Sequence, residues 1–131
     1  MKDSNKTKNL KKFAKLSLGM KTIYQNLESF IFTLNPNEVE KVEAKWYTGF
    51  KVYSRCFVDF SFKPKENKIH ITVTVFLNQI TLKEGFTRDI SNIGNHGNGS
   101  IQIFCTLDSK IQEIKNLIKI SYDNIFQKYK K

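Results

Sequence analysis

The sequence predicts an α+β domain. A helical spacing of apolar residues from Met20 to Leu34 is followed by strand-like alternation between Ala44 and Phe76 and again from Ile101 to Leu107. A second helical stripe then runs from Ile111 to Ile125. The order helix, three strands, irregular segment, strand, helix lacks the regular strand–helix alternation of a doubly wound parallel fold. The expected architecture is an N-terminal helix, a four- to five-stranded, largely antiparallel sheet and a C-terminal helix, with both helices packed on one sheet face.

Residues 1–17 are basic and polar, with Leu10, Phe13 and Leu16 as the sizeable apolar groups. That is too little burial to hold an element alone, so the segment is expected to be a mobile arm, with room for one helical turn docked through Leu10 and Phe13. An apolar face three residues wide is also narrow for a membrane-surface helix. Residues 18–131 are read as a single α+β domain. In its first helix Met20, Ile23, Tyr24, Leu27, Phe30, Ile31 and Leu34 share one face, and Asn35-Pro36-Asn37 ends it, because proline disfavours helical backbone in the residue before it. Glu38 to Glu43 reads as a charged connector.

Three strands follow. Trp46, Phe50 and Val52 alternate with Lys45, Tyr47 and Lys51; Cys56, Val58, Phe60 and Phe62 alternate with Phe57, Asp59 and Ser61; Ile69, Ile71, Val73 and Val75 alternate with His70, Thr72 and Thr74. The short connections favour antiparallel hairpins, Pro64 and Asn67 supplying turn chemistry to the second. Phe57 and Phe76 fall on the nominally outer face. Leu77 to Phe86 fits neither period and reads as a short strand or an irregular crossing. The last strand points Ile101, Ile103, Cys105 and Leu107 one way. Asp108 or Ser109 is expected to cap the final helix, Ser109 and Gln112 having capping-box spacing, and its buried stripe is Ile111, Ile114, Leu117, Ile118 and Ile125.

The chain has 131 residues, the size of one domain that builds its core without disulfides or metals. Its formal net charge is +10, but this is unevenly placed: residues 1–17 hold six Lys and one Asp, residues 128–131 hold three Lys, and residues 18–127 carry thirteen basic and eleven acidic groups. Terminal lysines give salt-sensitive, sequence-blind attraction to polyanions. No apolar run approaches the ~18 residues of a membrane span and no secretory leader pattern is present, so a cytoplasmic location is expected. Cys56 and Cys105 lack metal or redox spacing and are expected to be buried free thiols.

The most specific stretch is Thr87 to Leu107, where Gly94, Gly97 and Gly99 alternate with Asn95, His96 and Asn98 before a strand. Phosphate-cradling glycine loops open a helix, and this one opens a strand. With two histidines, His70 and His96, and no ligand-type spacing, no metal or other cofactor is expected. The glycines are read first as permitting positive φ in a tight connection. Arg88 and Asp89 are read as a local ion pair fixing that loop.

These residues resemble a known family. Lys45-Trp46-Tyr47-Thr48-Gly49-Phe50-Lys51 is similar to the KKYIAFK-like strand of domain of unknown function 5655, as is Phe57. Thr87-Arg88-Asp89-Ile90-Ser91 with Ile93-Gly94 is similar to its ARDVSxIG, and Gly94 to Gly99 to its G-H-W-G-T-G loop. The resemblance runs from Met20 to about Ile125, including the final helix near Tyr122. Where the family has His then Trp in the loop, this chain has Asn95 then His96. The imidazole is shifted by one place, so no family role carries over to His96. The family has no assigned reaction. It is labelled in places a predicted transport protein, though nothing in this sequence suggests membrane insertion. The frequent attachment of its members to nuclease-like or restriction-type proteins implies an accessory binding module in DNA-related defence.

Three functions are therefore weighed. A non-catalytic module would bind nucleic acid or a nuclease-type protein, with Lys8, Lys11, Lys12, Lys15, Lys45, Lys51 and Arg55 as polyanion contacts. A protein-interaction or small-ligand domain would use Trp46, Tyr47, Arg88, Asp89, Asn95, His96 and Asn98 around the glycine loop. An enzyme would require His96, Arg88 and Asp89 to converge in a cleft.

Overall fold

In the computed structural model, which describes residues 7–92 and 99–130, the elements run α1 (Lys8–Ala14), α2 (Leu18–Leu34), β1 (Glu40–Glu43), β2 (Thr48–Val52), β3 (Arg55–Lys63), β4 (Lys68–Val73), a 3-10 turn (Leu77–Gln79), β5 (Thr87–Asp89), β6 (Ile101–Cys105) and α3 (Ile111–Tyr129). The six strands form one sheet in the order β1-β2-β3-β4-β6-β5 with every neighbour antiparallel. The α+β class, the antiparallel sheet and the flanking helices agree with the sequence. Two short strands join the four read there. β1 was expected to be a connector, and β5 lay inside the segment read as leading to the glycine loop.

The inner sheet face carries the core. Phe50, Val58, Phe60 and Phe62 meet Ile69, Ile71 and Val73, then Ile101, Ile103 and Cys105, all fully or nearly buried. From α2, Tyr24 packs edge-on against Phe60 and Phe62 at ring separations of 5.1 and 5.2 Å. From α3, Tyr122 packs edge-on against Phe57 at 5.3 Å, and Ser121 donates its hydroxyl hydrogen to the Phe57 carbonyl.

Phe57 departs from the expected alternation. The pairing of β2 with β3 slips between Phe50, opposite Val58, and Lys51, opposite Cys56. Phe57 is the extra residue of this bulge, which turns its ring into the core beside Val58 and leaves Cys56 on the outer face. Cys105 keeps its inner position, and both thiols are free.

The described part of the N-terminal segment docks on the sheet. Lys8–Ala14 is a helix capped by the Thr7 hydroxyl and held to the sheet by Asn9, which is 2 % exposed. Beyond Thr48, the first residue of β2, the Asn9 side chain takes the place of a strand: Phe62 N–H donates to Oδ1 at 3.2 Å, and Nδ2 donates to the Phe60 carbonyl at 3.0 Å and to Thr48 Oγ1 at 3.1 Å. Phe13 adds ring contacts to Phe62 and Tyr24 at 5.0 and 5.4 Å. Polar groups, which an apolar-burial argument ignores, supply much of this anchoring.

The cap of α3 differs as well. The N-cap residue is Lys110, without a side-chain bond, and the Ser109 hydroxyl instead accepts from Thr106 N–H in the preceding turn.

Candidate functional site: a basic surface around Trp46

The four-residue connection between β1 and β2 is pinned from both sides. Ala44 N–H donates to the Tyr47 carbonyl, Asn9 N–H of α1 donates to the Lys45 carbonyl at 3.0 Å, and the Ser61 hydroxyl of β3 donates to the Trp46 carbonyl at 3.0 Å. These bonds hold Trp46 beside α1 with 44 % of its surface exposed. Around its ring stand the ammonium groups of Lys45, Lys12 and Lys8, at 5.3, 5.5 and 5.7 Å from the centroid. Lys8 and Lys12 are four residues apart and so share one face of α1. The fold thus gathers Trp46, Lys8, Lys12 and Lys45, all singled out in the sequence. Lys11, on the same short helix, and Lys15, at its C-cap, are exposed.

Tyr47 goes elsewhere. Its ring lies along the outer face over Gly49, where an added Cβ would stand 3.1 Å from the ring and 3.2 Å from Cys56 Sγ. Lys51 and Arg55 line a separate cleft with Tyr47 near the β2–β3 turn. The seven expected polyanion contacts therefore divide between two places.

The outer face of the central strands is polar. One cross-strand line joins Gly49, Asp59, Thr72, Gln102 and Arg88. Arg88 donates from Nε to Gln102 Oε1 at 2.9 Å and lies 5.8 Å from the Phe104 ring centroid. Asp89 accepts from the Ser91 N–H and hydroxyl, at 2.9 and 2.7 Å, which holds its carboxyl below the usual range. The expected Arg88–Asp89 ion pair is absent among the described residues, since successive strand residues leave opposite faces. The next line places His70 against Phe104, with rings 5.1 Å apart. Burial first, then the charges of Lys63 and Lys68, push the His70 imidazole down to about 4.

Gly94, Asn95, His96, Gly97 and Asn98 lie outside the described residues. Gly99 stands at the described end of the loop. Its constraint is space: a Cβ would come within 2.7 Å of the Val73 carbonyl oxygen and 2.8 Å of Thr72 Cγ2. Ser100 then fastens the chain to β4, its N–H donating to the Val73 carbonyl and its hydroxyl to the Val75 carbonyl.

Among the described residues no group of three or more His, Cys, Asp or Glu side chains could hold a metal. Burial, with the charge of Asp59 adding to it, raises Cys56 to about 12, and burial raises Cys105 to about 12. Both thiols are neutral at ordinary pH and make poor nucleophiles. No helix among the described residues is long and apolar enough to cross a membrane.

Compared with known families, residues 11–125 match the one described as Domain of unknown function (DUF5655). The chain belongs to this family. The match begins inside α1 and ends on Ile125 of α3, so the domain of unknown function spans the whole sheet, α2 and most of α3. The sequence resemblance is thereby established, with a start nine residues earlier than Met20, within the helix that carries Lys12. No curated protein and no solved structure matches the chain.

Proposed function

We propose that the protein is a non-catalytic nucleic-acid-binding module whose contact surface is α1 together with the β1–β2 connection. The observation that carries this reading is the convergence of three ammonium groups within 6 Å of one exposed indole ring. An exposed aromatic face stacks on any base, and lysines neutralise phosphates without reading sequence. The surface therefore has the chemistry for single strands, bound with little sequence preference. Three to five phosphate contacts, from Lys8, Lys12 and Lys45 with Lys11 and Lys15 at the margin, correspond to a slope of log affinity against log salt of about −2 to −3.5.

In this reading the module serves a nuclease-type or restriction-type partner, as the family resemblance implies, in the cytoplasm. Titration with single- and double-stranded oligonucleotides at two salt concentrations tests it. Binding of single strands that weakens with salt and with the double substitution Lys8→Ala, Lys12→Ala supports the reading. Absence of binding at low salt ends it.

A further inference from the structure

A second cluster of cations faces a cleft that the Trp46 surface does not use. Where the end of α3 passes the β2–β3 turn, Tyr47, Lys51, Ser54, Arg55, Thr74 and Tyr129 line a cleft of about 280 Å³. The Arg55 guanidinium is stacked on the Tyr129 ring at 4.4 Å, and the Lys128 ammonium lies 5.4 Å from the same ring. Stacking of this kind fixes the plane of the guanidinium and leaves its N–H edge available to an anion. Among the described residues neither Lys51 nor Arg55 has a carboxylate partner. No Asp or Glu lines the cleft, and Ser54 and Thr74 add hydroxyl groups to it.

The turn that presents Ser54 and Arg55 is conformationally costly. Tyr53 and Ser54 both have positive φ, 52° and 64°, a region that suits glycine or asparagine. The cleft's volume lies just below the ~300 Å³ lower end for ligand pockets, which suits a small ion or one charged end of a small molecule.

We propose that this cleft binds a phosphate group or a comparable doubly charged oxyanion of a small molecule, with Arg55 and Lys51 as its cationic contacts. A planar guanidinium matches two phosphate oxygens at once, while an ammonium acts as a point charge. The site is independent of the nucleic-acid surface, because its cations belong to β2, β3 and α3 rather than to α1.

The test is calorimetric titration of the full chain, at constant ionic strength, with inorganic phosphate, AMP and adenosine. Phosphate and AMP are expected to bind and adenosine not to. Equal affinity for phosphate and AMP identifies a free oxyanion as sufficient, and tighter AMP binding identifies a phosphate monoester; both support the proposal. Arg55→Ala is expected to weaken binding at least ten-fold and Arg55→Lys to keep part of it, while Trp46→Ala leaves it unchanged. Arg55 is exposed, so its variants are expected to fold, which thermal melting checks. Phosphate and AMP failing to bind, adenosine matching AMP, Arg55→Ala binding as tightly as wild type, or Trp46→Ala removing binding would each overturn it. Loss of oligonucleotide binding with phosphate binding intact would instead refute only the Trp46 reading.

Discussion

The Asn9 side chain pairs with the backbone of Phe62, Oδ1 accepting from its N–H at 3.2 Å while Nδ2 donates to the Phe60 carbonyl two residues back. One amide thus continues the sheet beyond Thr48, where β2 begins, and fixes α1, and with it Lys8 and Lys12, against Trp46. Asn9→Ala leaves the buried N–H of Phe62 without this partner, at a cost of roughly 1–3 kcal/mol. Urea denaturation should register that loss, and amide hydrogen exchange of α1 should rise relative to α2. If exchange in α1 is unchanged, Asn9 is not its anchor.

Gly99→Ala tests whether the end of the glycine loop is constrained by space. A methyl group 2.7 Å from the Val73 carbonyl oxygen forces the backbone apart, and the expected destabilisation is roughly 1–3 kcal/mol. Thermal melting measures it, and a melting temperature equal to wild type would show that β6 moves away from β4 freely.

The turn at Tyr53 and Ser54 offers a stabilising change. Ser54→Gly relieves strain of about 1–2 kcal/mol at positive φ and gives back part of this to the unfolded chain, for a net gain of about 0.5–1 kcal/mol in urea unfolding. A loss of stability would mean that the serine hydroxyl contributes more than its backbone costs.

His70 makes stability depend on pH. Its imidazole takes up a proton near pH 6.5 in the unfolded chain but resists until about 4 in the folded one, with Nε2 buried and unpartnered among the described residues. The neutral ring's contribution is full above pH 6.5 and is lost as pH falls from 6.5 to 4. Because the ring is partly open to solvent, the loss is about 1–2 kcal/mol. Urea unfolding of wild type and His70→Gln at pH 7 and 4.5 isolates it: the wild type should lose more stability than the variant, and equal losses would contradict the assignment.

The long amphipathic stripes were legible in the sequence because their periods are sustained. Tyr24, Leu27 and Ile31 in α2, and Ile114, Leu117 and Ile118 in α3, are buried as their spacing required. β1 and β5 escaped because four and three residues are too few to display a period, and Val42 is the single apolar residue of β1. The bulge at Phe57 carries no glycine to announce it, so one extra residue changed the faces of Phe57 and Cys56 without a local signal. At the site, Lys45 beside Trp46 could be read directly. Lys8 and Lys12 reach the same ring only through Asn9, a polar residue whose partners lie on β2 and β3, and no local pattern reveals such a partner.

Trp46 is the chain's single tryptophan, so its fluorescence reports on the proposed surface alone. Titrating a short single-stranded oligonucleotide at 50 and 200 mM salt, on wild type and on Lys8→Ala, Lys12→Ala, measures stacking and phosphate contact together. The account predicts quenching that saturates at low salt, an affinity loss of roughly 20- to 100-fold at the higher salt, and a shallower salt dependence in the variant. Unquenched Trp46 fluorescence at low salt, or quenching with the same salt dependence in both proteins, would contradict it.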